Sequence, residues 1–260
     1  MDLGIKGKLA IVCASSRGLG LGCANELAAN GVDLIMNGIN PDTLNASADM
    51  IRNTHGVNVT AVAADITTPE GRAKVLGAAY RSVDILINNA GGPPPGDFRD
   101  WERDDWVNAV NANMITPIEM IKAVIDPMIA QRFGRIVNIT SSSVKNPIPH
   151  LGLSNGARAG LTGFVAGLSR QVAQHNVTIN GLLPGQFNTD RINSLFAAAA
   201  KRDGKDVKDI RAAAEASNPT RRLGETNEFG QACAFLCSAA SGYLVGQNLL
   251  IDGGAYNSNS

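Results

Sequence analysis

The chain has 260 residues, 44% of them apolar, with 23 basic and 23 acidic side chains and no formal net charge. That composition supports a buried core without a disulfide or metal staple and excludes bulk disorder, and the charge balance removes any global pull toward nucleic acid or anionic lipid. No stretch approaches the ~20 apolar residues that span a bilayer, and the start, Met1-Asp2-Leu3-Gly4-Ile5-Lys6, lacks a basic segment followed by an apolar run, so the expectation is a cytoplasmic chain with reduced cysteines. In chain order, short aliphatic runs alternate with longer helical stretches. Strands are predicted at Leu9–Cys13, Val32–Met36, Val57–Val62, Val83–Ile87, Arg135–Ile139, Val177–Leu183 and Asn248–Ile251. Asn40-Pro41 and Thr68-Pro69-Glu70 read as helix starts, each a capping side chain followed by proline in the first turn. Seven strands with helices between them, several apolar on both faces, predict a Rossmann-like, doubly wound α/β fold. Its seven-stranded, mostly parallel sheet carries helices on both faces.

No linker, composition break or internal repeat divides the chain, so residues 1–260 read as one domain. Within it, about 189–217 is rich in alanine and charge and reads as a helical flap over a substrate. Gly92-Pro93-Pro94-Pro95-Gly96 reads as a stiff loop, and Asn257-Ser258-Asn259-Ser260 as a frayed tail. Cys13, Cys23, Cys233 and Cys237 sit in apolar segments. Cys233 and Cys237 are four apart on a predicted helix, but no further Cys or His cluster completes a site, so no metal is expected.

The first strand runs into Cys13-Ala14-Ser15-Ser16-Arg17-Gly18-Leu19-Gly20. Glycines at a strand-to-helix turn let backbone N–H groups approach a pyrophosphate at the helix N-terminus. Gly18 and Gly20, flanked by Ser16, Arg17 and Leu19, fit that role; the bland alternative is a tight turn with no ligand. Its place as the first such turn of an alternating chain favours the nucleotide.

On these residues and the motifs that follow, the chain resembles the short-chain dehydrogenase/reductase family over essentially its full length. That family usually shows Thr-Gly-x-x-x-Gly-x-Gly at this turn; Cys13-Ala14 replace the first pair, while Gly18 and Gly20 match. Asp65-Ile66 matches its adenine-contacting position, and Asn88-Asn89-Ala90-Gly91 is its Asn-Asn-Ala-Gly motif unaltered. Pro184-Gly185 matches its Pro-Gly beside the nicotinamide, and Thr189 its nearby hydroxyl. Arg222-Leu223-Gly224 and Asp252-Gly253-Gly254 match its C-terminal landmarks. A carboxylate at the end of the second strand would bind the ribose diol and repel a 2′-phosphate. Met36-Asn37-Gly38-Ile39-Asn40 offers none, with Gly38 at the family's Asp position, and Arg17 can pair with a 2′-phosphate. NADP is therefore expected over NAD, although Ile39 fills the family's second Arg position.

The family's chemistry uses a Ser, a Tyr, a Lys and an Asn. Asn111 matches the Asn and Ser141 the Ser, but the Tyr and Lys positions hold Ser154 and Arg158, in a register fixed by Ala159-Gly160-Leu161. A phenol titrates near ~10 and a neighbouring ammonium brings it toward working pH. A serine hydroxyl is a far weaker acid and needs an adjacent base, and arginine stays protonated, so it cannot relay a proton. Four residues apart, Ser154 and Arg158 share a helix face. Asn111, Ser141, Ser154 and Arg158 form the expected catalytic set, with His150 as a further proton source in the adjoining loop. Three readings stay open: an atypical NAD(P)-dependent oxidoreductase on a carbonyl or secondary alcohol, a cofactor-binding pseudoenzyme serving as sensor or scaffold, and a non-redox enzyme reusing the Ser/Arg pocket. The resemblance runs closest to the 3-oxoacyl carrier-protein reductase branch. It implies a small-molecule substrate and a homotetramer or homodimer built through helices at about Asp105–Arg132 and Ser154–His175, with neither nucleic acid nor membrane as partner. Trp101 and Trp106 read as packing anchors, and Gln186 and Phe187 are expected to face nicotinamide or substrate.

Overall fold

Seven β-branched and aliphatic runs become strands: β1 (Leu9–Val12), β2 (Asp33–Gly38), β3 (Val59–Ala63), β4 (Ile85–Asn88), β5 (Gly134–Ile139), β6 (Val177–Pro184) and β7 (Asn248–Ile251). The computed structural model describes residues 2–258; Met1 and the last two residues of the expected tail, Asn259 and Ser260, lie outside the described residues. The strands form one sheet in the order β3-β2-β1-β4-β5-β6-β7. Every pairing is parallel, so the expectation of a mostly parallel sheet sharpens to an entirely parallel one. Each connection passes through a helix, which returns the chain to the same end of the sheet.

Alternation along β1 shows how the layers are assigned. Ala10 and Val12 face one core with Cys23 and Leu27 of α1 (Gly18–Ala29), Leu44 and Ile51 of α2 (Pro41–His55) and Phe229 and Cys233 of α9 (Thr226–Leu236). Leu9 and Ile11 face a second core with Val75 of α3 (Pro69–Gly77), Met120 and Val124 of α5 (Thr116–Ala130) and Leu161 and Val165 of α6 (Gly152–Val172). Burial on both faces is why these strands read as continuous apolar runs.

The helix expected at about Asp105–Arg132 begins as α4 (Arg103–Val110), widens into a π turn over Asn111–Ile115 and continues as α5. Two helices, α7 (Asp190–Asp203) and α8 (Val207–Ser217), occupy the segment expected as a flap. Among the described residues no helix is long and apolar enough to cross a membrane.

One strand carries a charge that its pattern conceals. Arg135, in β5, is 1% exposed. Its guanidinium donates to the carbonyls of Ser238, Gly134 and Asn176 at 2.9 Å each and stacks 4.5 Å from the Phe133 ring centroid. Every partner is neutral, so hydrogen bonds and the aromatic face together offset the burial of the cation.

The strand order reverses between β1 and β4, which opens a crevice at the carboxyl ends of these strands. The sequence motifs all lie at that end of the sheet.

Candidate active site

The β1 end of the crevice is built from backbone. Asn37, buried at the end of β2, donates to the carbonyls of Val62 and Ala64 at 3.2 and 2.9 Å and accepts from the Ala14 N–H at 3.4 Å. It ties the ends of β1, β2 and β3 together. Ala14 then turns with φ +46°, a left-handed conformation that costs a residue with a Cβ about 1–2 kcal/mol. At Gly20, an added Cβ would run into the Ala14 carbonyl oxygen and come within 2.8 Å of the Asn89 amide nitrogen. Asn89 itself donates to that carbonyl at 3.2 Å. Only glycine allows this approach. Helix α1 starts without a side-chain cap, whereas Asn40, Thr68 and Thr189 cap α2, α3 and α7. The positive end of α1 thus faces the crevice with its first N–H groups available to an anion.

The α6 end is built from side chains. Ser154 and Arg158 are 7% and 8% exposed. Arg158 donates from Nε to Ser154 Oγ at 3.2 Å and from a terminal nitrogen to the Ile139 carbonyl at 2.8 Å. Burial, then repulsion from Arg191, lowers the Arg158 pKa to about 10; the group stays protonated at neutral pH. Ser141 sits at the end of β5 and its Oγ accepts from the Ser143 N–H at 3.1 Å. In both serines an acceptor site is engaged, and among the described residues no acceptor takes either O–H proton. Both ends open onto one cleft of about 330 Å³, lined by Gly18, Leu19, Asn89, Ala90, Gly91, Ser141, Ser154, Arg158, Pro184, Gly185 and Thr189 among others.

The chain matches the family described as enoyl-(acyl carrier protein) reductase over residues 13–256. It belongs to the short-chain dehydrogenase/reductase family. The 3-oxoacyl-[acyl-carrier-protein] reductase FabG of Vibrio cholerae is 32% identical over 259 residues, covering 98% of this chain and 99% of the relative. Among solved structures, L-sorbose reductase of Gluconobacter frateurii, complexed with NADPH and L-sorbose, superposes with a TM-score of 0.93 at 27% identity, over 99% of this chain and 100% of its own. A 7α-hydroxysteroid dehydrogenase complexed with NADH and 7-oxo glycochenodeoxycholic acid reaches 0.89 at 27% identity, over 100% and 98%.

Not every expected residue of this short-chain dehydrogenase/reductase reaches the cleft wall. Arg17 does, but its guanidinium lies 3.4 Å from Asp190, with both groups exposed; such a pair contributes little. Ser16 packs under Gly38 instead: a Cβ at Gly38 would lie 3.1 Å from its hydroxyl. Asp65 is exposed and accepts from the Thr67 N–H and hydroxyl at 2.9 and 2.8 Å, while Ile66 is buried in the second core. Asn111, in the π turn, donates to the Thr67 carbonyl at 3.3 Å and does not line the cleft with Ser141 and Ser154. His150 is exposed, with φ +63°, and its carbonyl accepts from the Gly96 N–H at 2.9 Å. Phe187 lines the cleft as expected, packed edge-on against Phe229, but Gln186 is exposed and lies outside it. Residues after β6 alternate sides: Phe187 takes the inner one, and Gln186 lines a neighbouring hollow with Ser142 and Asn146. Trp101 and Trp106 form an edge-to-face pair 5.6 Å apart, with Trp101 packed on Gly96 and Gly152. All four cysteines are buried and free, and burial pushes the Cys13 thiol up to about 12, so it is inert at neutral pH.

Sequence reasoning missed Arg191, Ile192 and Leu195, which α7 brings to the cleft wall. The Thr189 cap sets the helix start and hence which residues face inward. The sequence placed them only within the flap segment; the cap is the local signal that would have fixed their phase.

Proposed function

We propose that this short-chain dehydrogenase/reductase is an NADP(H)-dependent oxidoreductase acting on a carbonyl or secondary alcohol. The observation that carries this reading is the convergence, in one cleft, of an uncapped α1 N-terminus with Ser141, Ser154 and Arg158. The residues present fit a dinucleotide. The α1 start offers N–H groups to a pyrophosphate, and beyond Gly18 an added Cβ would find only the Thr189 side chain, at 3.7 Å. No carboxylate stands at Gly38 to repel a 2′-phosphate, and a side chain there would press on Ser16, 3.1 Å from its Cβ, which supports NADP over NAD.

The cofactor supplies a hydride; the chain supplies position and charge. Ser141 and Ser154 each keep an O–H to donate to a substrate oxygen. Arg158 cannot release its proton near neutral pH, so it holds Ser154 and stabilises negative charge as it gathers on that oxygen. The proton is then drawn from water rather than from a phenol. Asp65, Ile66 and Asn111 belong to this proposal at one remove: the Asp65–Thr67 turn, gripped by Asn111, shapes the rim on the adenine side. The flap reading for α7 and α8 is supported by a small separate core in which Ile192 and Phe196 of α7 meet Leu223, with Ile210 and Ala214 of α8 packed against them. Exposed Trp106, Val107 and Phe164 on α4 and α6 support self-association through those helices.

Adding NADPH should raise the melting temperature, and absorbance of the reduced nicotinamide should fall across a panel of carbonyl compounds. A second reading, cofactor binding without turnover, is favoured by one fact: among the described residues no Tyr, Lys, His or Cys lines the cleft. Saturable NADPH binding with no turnover on any carbonyl selects it; no binding at all overturns both.

A further inference from the structure

The cleft holds more positive charge than its own residues balance. Arg158 spends two of its five N–H donors, both on neutral acceptors, Ser154 Oγ and the Ile139 carbonyl. Arg191 enters the same cleft from the first turn of α7. A terminal nitrogen donates to the Pro93 carbonyl at 2.7 Å, and the guanidinium lies against Gly92. Among the described residues neither guanidinium has a carboxylate partner. The one carboxylate on the cleft wall, Asp190, is exposed and taken by Arg17. Repulsion between the two cations adds to the burial that lowers the Arg158 pKa. The surrounding wall is apolar, from Ile139, Leu151, Ile192 and Leu195; Arg158 is buried against it while Arg191 is exposed at the mouth, so the inner charge is weakly screened until an anion meets it.

We propose that Arg158 and Arg191 form a carboxylate subsite, and that the substrate is an oxo acid or the corresponding hydroxy acid, bound by both guanidiniums. The carbonyl part rests on the oxidoreductase reading above; the carboxylate part rests on the two arginines alone. Planar guanidiniums offer paired donors that match two carboxylate oxygens. Because Arg158 also holds Ser154, the anion sits beside the serine hydroxyls and away from the α1 start, where a cofactor phosphate belongs. Because Arg191 rides on α7, the same contact ties α7 to α6 across the ligand.

Calorimetric titration of the full chain, with and without saturating NADP+, tests this with short-chain 2-oxo and 3-oxo acids, each against its methyl ester. At least one acid is expected to bind with NADP+ present, and its ester about tenfold or more weakly. Arg191→Met should weaken the acid by about tenfold while Arg191→Lys keeps part of the affinity, with NADP+ affinity held within about twofold in both. Esters binding as well as acids, no acid binding, or unchanged acid affinity in Arg191→Met would overturn the subsite. So would displacement of every acid by NADP+, which would assign the arginines to a cofactor phosphate. Failure of NADP+ to bind strikes the oxidoreductase reading alone, because the acid-over-ester preference is read in the same titration without cofactor.

Discussion

At the α1 end of the cleft the working groups are backbone: an uncapped helix start, two glycines and a carbonyl packed against one of them. At the α6 end they are side chains: Ser141, Ser154 and a buried, uncompensated Arg158. The difference shows in what each end tolerates. Residues can change at the first end so long as the main chain keeps its path, and Cys13-Ala14 does so at the expense of a left-handed alanine. At the second end the chemistry lies in residue type, and two exchanges in one helix turn alter it. A backbone-built site is specified by shape, a side-chain-built site by composition.

The largest expected effect attacks the shape. Gly20→Val drives a branched side chain into the Ala14 carbonyl, which no rotamer avoids; NADP+ affinity measured by titration should fall at least about a hundredfold. Ser154→Ala should lower turnover by about a hundredfold with NADP+ affinity unchanged. Parallel loss of both would mean that the two ends are not separable. The double replacement Ser154→Tyr with Arg158→Lys should raise carbonyl reduction about tenfold, and no gain would show that the pocket around them has its own demands. Gly38→Asp should turn the NADPH preference toward NADH by about tenfold, through repulsion of the 2′-phosphate and displacement of Ser16.

Smaller effects test the energetics. Folding lowers the Arg158 pKa from the ordinary guanidinium range to about 10, so from about 10 up to that range the unfolded chain binds the extra proton. Stability should then rise with pH through that window, and below about 10 the full penalty is present. Urea midpoints at pH 9 and 11 should show wild type gaining on Arg158→Met by about 1 kcal/mol per pH unit above about 10. A constant difference would show that Arg158 titrates normally. Ala14→Gly releases the left-handed strain but loosens the unfolded chain, for a net gain of about 0.5–1 kcal/mol in the same assay.

The fold was legible because strands buried on both faces leave continuous aliphatic runs; observed ends differ from expected ones by one or two residues, as at Val59 and Ile85. The glycine turn after β1 was legible because a close backbone approach leaves glycines at fixed spacing. The cationic wall was not. Arg191 lies in a segment where alanine alternates with charge, and nothing local separates a cleft-facing cation from a solvated one; only its helical phase after the Thr189 cap decides. Asn111 was legible as a residue but not as a contact, because the π turn shifts helical phase just there. Arg135 read as an ordinary strand position, since its partners lie outside any local window.

Arg135 also bears on how the protein comes into being. Its Nε partner, the Ser238 carbonyl, is supplied 103 residues downstream. During synthesis, six of the seven strands leave the ribosome before that carbonyl does, and a cation at the foot of a central strand must stay hydrated meanwhile. Until then the carbonyls of Gly134 and Asn176 serve the guanidinium and water completes its shell; that flank of the sheet closes when the segment after α9 docks.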